Sequence, residues 1–195
     1  MNYDNRSVSA GSVRFGYRVE GEGSRKILLL HGLNSHSGTW RKNVTALARD
    51  ATVVAPSLPP HKGEVTSELA GLYASQVSAV CVDAGIEGAD VVGNSMGGWV
   101  AMRLLSAHRE LVSRIVLEDT AGSGSGDVRA LEVAGIPALI VWGELDEVIP
   151  VSTGLELHSR LPGSELRVIP EVGHVPHWET PEEFNRIVGT FLSGW

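Results

Sequence analysis

Short apolar runs separated by helix-patterned stretches constrain this chain more than any other feature. Lys26 to Leu30, Thr52 to Ala55, Asp90 to Val92, Arg114 to Leu117, Ile136 to Trp142 and Glu165 to Ile169 read as strands buried on both faces. Between them, Thr66 to Ala84 carries Leu69, Leu72, Tyr73, Val77 and Val80 at helix-face spacing, and Trp99 to Ala107 and Pro181 to Leu192 are similar. Thr180-Pro181-Glu182-Glu183 has the composition of a helix start: a Thr cap, Pro at the first position, acids in the first turn. Ahead of these elements, Arg6 to Ala10 and Val13 to Val19 read as a hairpin turning at Gly11-Ser12. Strands alternating with helices predict an α/β fold, a mostly parallel sheet with helices on both faces. In such sheets ligands bind beyond the C-terminal ends of the strands, so chemistry is sought there.

Length and composition narrow the options further. The 195 residues fit one domain, 1–195, with a sizeable core. Hydrophobic residues at 43% and charged residues at 20% argue against disorder. The longest apolar runs fall well short of a membrane-spanning helix, so no membrane partner is expected. Met1 to Ala10 is polar and lacks the apolar segment of a secretory signal. The lone Cys81 cannot form an internal disulfide, and a cytoplasmic location is the expectation. A net charge of -7 with no Lys/Arg stripe argues against a nucleic-acid partner.

The strand Asp90-Val91-Val92 runs into Gly93-Asn94-Ser95-Met96-Gly97-Gly98, and a helix follows. This is G-x-S-x-G in the context it requires: strand, sharp turn, helix. Glycines at 93 and 97 remove bulk that would clash across the turn, which lifts the Ser95 hydroxyl above the sheet. The turn also aims the Met96 backbone N–H at the place where an oxyanion would form. A Walker-type phosphate loop needs a Lys-Ser/Thr pair after its last Gly, and Gly98-Trp99 does not supply one.

On these residues the chain resembles the α/β-hydrolase superfamily, in the branch of small-molecule esterases and carbon–carbon bond hydrolases. The resemblance runs from the opening hairpin to the final helix. It implies an eight-stranded sheet and the chain order Ser, acid, His. Leu28-Leu29-Leu30-His31-Gly32-Leu33-Asn34 resembles the family strand ending in His-Gly. By that match the Leu33 backbone is the second oxyanion donor, Gly32 permits close approach, and His31 is structural support. Ile140-Val141-Trp142-Gly143-Glu144-Leu145-Asp146 places the family acid at Asp146. Asp119 is a second contender, because some relatives put the acid after the preceding strand. Gly173-His174 follows the last strand and makes His174 the general base acting on Ser95. Gly93, Asn94 and Gly97 support the nucleophile. His177 reads as a pocket-wall or surface residue, and His36, His61, His108 and His158 as loop or surface positions. A metal held by His174 and His177 would need a third ligand that the sequence does not show, so neither metal nor cofactor is expected.

Lidded relatives insert a helical cap between the strand ending near Asp119 and the strand starting near Ile136. Here Thr120 to Gly135 is short, and its centre, Gly122-Ser123-Gly124-Ser125-Gly126, alternates Gly and Ser. Such composition behaves as flexible linker with a span of roughly 12 Å. The expectation is a core without a lid, its ends rejoined by an engineered linker at 122–126. An open pocket and exposed apolar surface, with self-association through it, would follow. Three functions fit. One is hydrolysis of small acyl esters through an acyl-enzyme. Another is carbon–carbon cleavage of diketone-like ring-cleavage products, which Gly-Asn-Ser-Met-Gly-Gly and Trp178-Glu179 resemble. The third is a lidless scaffold with little turnover. The expected partner is a small-molecule ester or ketone.

Overall fold

The structure is a computed structural model and describes residues 4–193. Residues 1–3 and 194–195, which enter the single-domain and leader readings, lie outside the described residues. The chain opens with β1 (Asp4–Ala10) and β2 (Val13–Glu20), joined through Gly11 at φ 60°. Ala10 faces Val13 across that turn, and Phe15 and Tyr17 are buried while Arg14 and Gly16 are exposed, as the alternation predicts. Next come β3 (Arg25–Leu30), a 3-10 turn (Ser37–Lys42), α1 (Val44–Leu47) and β4 (Ala51–Pro56). The central units are α2 (Ser67–Asp83), β5 (Ala89–Asn94), α3 (Met96–Ala107) and β6 (Val112–Glu118). The chain continues through α4 (Asp127–Ala134), β7 (Ala138–Gly143), α5 (Val151–Arg160) and β8 (Glu165–Ile169). It ends with α6 (Pro176–Glu179) and α7 (Pro181–Ser193).

Among the described residues eight strands form one sheet in the order β1-β2-β4-β3-β5-β6-β7-β8. The pairs β1·β2 and β2·β4 are antiparallel, and every other pair is parallel. Successive strand residues point to opposite faces, so each central strand feeds two cores. Leu28, Leu30, Val91, Ile115, Leu117 and Ile140 pack beneath α2 to α5. Ile27, Leu29, Val92, Val116, Leu139 and Val141 pack against Trp40, α1 and α7. This double burial is why the strands read as unbroken apolar runs.

Local signals explain the helix ends. The Thr66 hydroxyl accepts a hydrogen bond from Leu69 N and caps α2. Pro181 opens α7 as predicted, but the Thr180 hydroxyl donates to Pro176 O and so ties α7 back to α6. The amphipathic α4 and α5 were not anticipated; each is short, and Gly154 sits inside α5. Gly154 is there for space, since a Cβ would lie 2.5 Å from the Trp142 ring.

The Gly/Ser segment is anchored at Gly122, Ser123 and Ser125, with open space beside Gly124 and Gly126. Gly122 has φ 77°, and a Cβ there would meet the Trp99 ring at 2.4 Å. Arg160 Nη1 donates to Ser123 O at 2.7 Å, and Ser125 N donates to Gly122 O at 2.9 Å. Asp127 then receives Trp99 Nε1 and Arg103 Nη1 at 2.8 and 2.9 Å. Among the described residues, no helix is long and apolar enough to cross a membrane.

Candidate active site

The C-terminal ends of the parallel strands converge on one cavity of about 770 Å³, walled by loops after β3, β5, β7 and β8. Ser95 stands at the turn between β5 and α3 with φ 53°, a left-handed value unusual for a residue with a side chain. Such backbone costs about 1–3 kcal/mol and persists only where its surroundings hold it. Here Ser95 N donates to Glu118 O, Ser95 O accepts from Gly98 and Ala121, and the flanking glycines are packed against backbone. A Cβ at Gly93 would lie 2.4 Å from Gly97 O, and one at Gly97 would lie 2.1 Å from Leu30 O. The steric reason inferred for G-x-S-x-G is therefore the one found. Gly98 is equally constrained, with Thr120 Oγ1 2.1 Å from its would-be Cβ.

His174 lines the same cavity as Ser95. Its Nδ1 is 2.7 Å from Asp146 Oδ2, and Asp146 Oδ1 accepts from Val148 N and Ile149 N at 2.8 and 2.9 Å. The Asp146 carboxylate is shielded from water and His174 is only slightly exposed. These bonds put the proton on Nδ1 and leave Nε2 as an acceptor. Among the described residues the Ser95 hydroxyl makes no hydrogen bond; such contacts often tighten only when substrate is bound. Gly32 and Leu33 line the cavity beside Ser95, and a Cβ on Gly32 would stand 3.4 Å from Ser95 Cβ. Met96 begins α3, where the first N–H groups have no partner within the helix.

Asp119, the other contender for the acid, is at φ 43° and fully buried, and its Oδ1 accepts from Gly143 N at 2.9 Å. His174 Nδ1 donates to Asp146 and not to Asp119. Burial, then the negative charge of Glu118, pushes the Asp119 carboxyl up to about 10, so it is neutral at ordinary pH. Its Oδ2 has no hydrogen-bond partner among the described residues. Ligand-type atoms of Asp119, Asp146 and His174 lie within 4.8 Å of one another, an acid–acid–imidazole cluster that their sequence separation hides.

The raised value has a consequence for stability. An Asp that ionises near 3.8 when unfolded but near 10 when folded contributes stability fully present below about 3.8. That contribution declines as pH rises toward the folded value, by up to about 1.4 kcal/mol per pH unit. Asp119→Asn keeps an oxygen for Gly143 N and removes the titration. Its stability relative to wild type is expected to climb between about pH 5 and pH 8 in urea denaturation. A constant difference across that range would contradict the assignment.

The remaining sequence-derived positions fall as follows. His31 is buried; its Nδ1 lies 2.7 Å from Gly32 O and its Nε2 accepts from Leu58 N at 2.9 Å, bracing the loop that carries Leu33. Asn94 Nδ2 donates to His174 O at 3.2 Å, linking the serine turn to the histidine loop. His36 is an exposed loop residue, as expected; it accepts from Gly38 N and lines the cavity mouth. His177 corrects the pocket-wall or surface reading. It is buried, bonded to Glu118 and stacked on Trp40 at 3.9 Å. A histidine three residues after another cannot be told apart by spacing when one faces the cavity and the other faces the core. Glu179 is a positioning group that the residue-level reading missed. Its two oxygens accept from Gly173 N and Val175 N at 2.9 and 3.0 Å, clamping the backbone on both sides of His174.

A nucleophile-type serine on a strand-to-helix turn, an oriented imidazole and an eight-stranded sheet define the hydrolase class of α/β folds. A sequence profile of the alpha/beta hydrolase family matches residues 27–133, and the chain belongs to that family. A dihydrolipoyllysine-residue acetyltransferase component of the acetoin cleaving system of Cupriavidus necator is 27% identical over 255 aligned positions, covering 93% of this chain and 67% of that protein. A 2-hydroxy-6-oxononadienedioate/2-hydroxy-6-oxononatrienedioate hydrolase of a Pseudomonas species is 22% identical over 268 positions, covering 95% of each. Both alignments are longer than the 195 residues of this chain, so both relatives carry residues without a counterpart here. A serine hydrolase from Cycloclasticus zankles shares the fold with a TM-score of 0.89 at 20% identity, covering 99% of each chain.

Proposed function

We propose that this hydrolase cleaves small acyl esters through an acyl-enzyme, with Ser95 as nucleophile, His174 as base and Asp146 as the acid that orients it. The observation carrying this reading is the Asp146–His174 hydrogen bond at 2.7 Å beside a left-handed Ser95 on the same cavity. In the proposed cycle Ser95 Oγ attacks the ester carbonyl as its proton passes to His174 Nε2. The Leu33 and Met96 N–H groups hold the oxyanion, and His174 then protonates the leaving alcohol. Water repeats the sequence to release the acid. Asp146 orients the imidazole through Nδ1 and is itself held by the Val148 and Ile149 N–H groups.

The test is hydrolysis of a short p-nitrophenyl ester together with fluorophosphonate labelling read by mass spectrometry. Label on Ser95 with turnover is the expected result; absence of both sinks the reading in favour of a scaffold with little turnover. Asp146→Asn is expected to lower kcat about 10⁴-fold, because the amide favours the wrong imidazole tautomer. Asp119→Asn is expected to stay within about tenfold of wild type, since that group does not reach the imidazole. Similar losses in both variants would overturn the choice of acid.

A second reading, carbon–carbon cleavage of a ring-cleavage diketone, is favoured by the similarity to the Pseudomonas hydrolase over 95% of both chains. Turnover of a ring-cleavage product without turnover of the ester would select it. We further propose that 122–126 stands where relatives carry a cap, as an engineered replacement would. The excess alignment length supports a missing segment. Leu145 and Val148, exposed on the loop that carries Asp146, are the apolar rim through which a capless core would self-associate.

A further inference from the structure

Among the described residues the cavity wall carries one permanent positive charge, that of Arg41 in the 3-10 turn. Its guanidinium carbon sits 3.9 Å from the centre of the Trp178 ring, and Trp178 lines the same cavity. Backbone bonds place Trp178: its N–H donates to Val175 O at 2.9 Å, and its carbonyl accepts from Lys42 Nζ at 2.8 Å. A cation over an aromatic face is held by about 0.5–1 kcal/mol at exposed sites. That contact engages the charge and uses none of the five N–H donors of the guanidinium. Among the described residues Arg41 has no ion pair, and its side chain donates no hydrogen bond. Lys42 differs. It lies over the same ring at 4.5 Å, but its ammonium is committed to Trp178 O and it stands outside the cavity wall.

The acids of this region have partners of their own. Glu179 lines the cavity, but its oxygens accept from Gly173 N and Val175 N. Asp146 is bonded to His174, Val148 N and Ile149 N. Arg41 thus presents a charge and a planar fork of donors to the cavity with nothing in the chain to receive them. A guanidinium keeps its proton throughout the working pH range, so its charge depends on no titration. Its fork matches a carboxylate, which accepts two parallel N–H bonds from it. One such cation balances one carboxylate, whereas a phosphate dianion would leave charge uncompensated beside Glu179. The net charge of -7 repels anions at a distance, so attraction has to come from a cation fixed at the cavity.

We propose that Arg41, held in place by Trp178, binds a carboxylate that the substrate carries in addition to its scissile ester. The substrate class is an anionic ester, with its carboxylate on the acid or on the alcohol side. The inference rests on the hydrolase reading only in taking this cavity as the substrate site. The test is calorimetric binding to Ser95→Ala, where nothing turns over, at low ionic strength. Monomethyl glutarate carries the carboxylate on the acid side and 4-acetoxybutanoate on the alcohol side, and each is compared with its own neutral methyl ester. In at least one pair the anion is expected to bind more tightly. Adding Arg41→Gln is expected to cut that affinity ratio about fivefold, the worth of an exposed but well-aligned charge pair, and Arg41→Glu to cut it further. The pair that responds identifies the side. Arg41 is exposed, so neither change removes core packing. Arg49, which precedes β4 and lies outside this cavity, is the control for the general field of the protein. Ratios unchanged in both Arg41 variants overturn the proposal, as does an equal fall in Arg49→Gln or failure of all four esters to bind. If the ratios behave as expected but the wild type hydrolyses none of these esters, the hydrolase reading alone fails.

Discussion

Alanine at position 95 is expected to abolish fluorophosphonate labelling and to lower kcat for a p-nitrophenyl ester by roughly 10⁴- to 10⁶-fold. The size of the effect follows from what Ser95 supplies. In the proposed cycle its oxygen forms the covalent bond to the acyl group. A residual rate above that in water would come from the Leu33 and Met96 donors and from binding, so the loss should not be complete. Removing one hydroxyl also relieves nothing of the backbone strain at φ 53°, because alanine has the same Cβ. The melting temperature should therefore stay close to that of wild type. Steady-state kinetics with thermal denaturation separate the two effects. Equal rates in Ser95→Ala and wild type would mean that Ser95 is not the nucleophile.

The second large effect is expected from Gly143→Ala, a single methyl placed where two loops meet. Gly143 ends β7, and a Cβ there would fall 1.9 Å from Gly173 O and 2.5 Å from Val172 O. Both carbonyls belong to the loop carrying His174. The neighbouring bonds Leu145 N to Val172 O and Glu144 N to Ile169 O hold that loop against the one carrying Asp146. Because the obstacle is backbone, the loop must move by more than 1 Å. Overpacking of this kind costs about 1–3 kcal/mol or more. A 1 Å displacement of a reacting group costs about 100-fold in rate. Gly143→Ala is expected to combine a lowered melting temperature with a kcat loss of at least about 100-fold. Wild-type kinetics in a folded variant would show that the two loops are not rigidly coupled.

Particular residues show how far the sequence reaches. Ile27 to Leu30 and Ala138 to Trp142 announce buried parallel strands because burial on both faces leaves no polar position to break the run. Gly93, Ser95 and Gly97 announce the turn because a steric demand fixes residue type at fixed spacing. Helices α4 and α5 were missed because each is short, with few turns to show a period, and Gly154 interrupts the pattern of α5. The anchoring of Gly122 to Ser125 was missed because its partners, Trp99 and Arg160, lie in other elements. His174 and His177 looked alike as a nearby pair. One meets Asp146 and the cavity, while the other turns inward to Glu118 and Trp40.

Resemblance to the α/β-hydrolase family singled out Asp146 and His174; the sequence by itself determined the alternation of strands and helices and the serine turn. Each depends on local sterics or on the periodicity of burial, and both are written along the chain. Tertiary structure decided which acid meets the imidazole, which histidine is buried, and that Asp119 keeps its proton. It also decided that Glu179 clamps the His174 loop. Those outcomes depend on distances between segments far apart in sequence and on exclusion of water from Glu118, His177 and Asp119. Only the packed sheet and its loops set either.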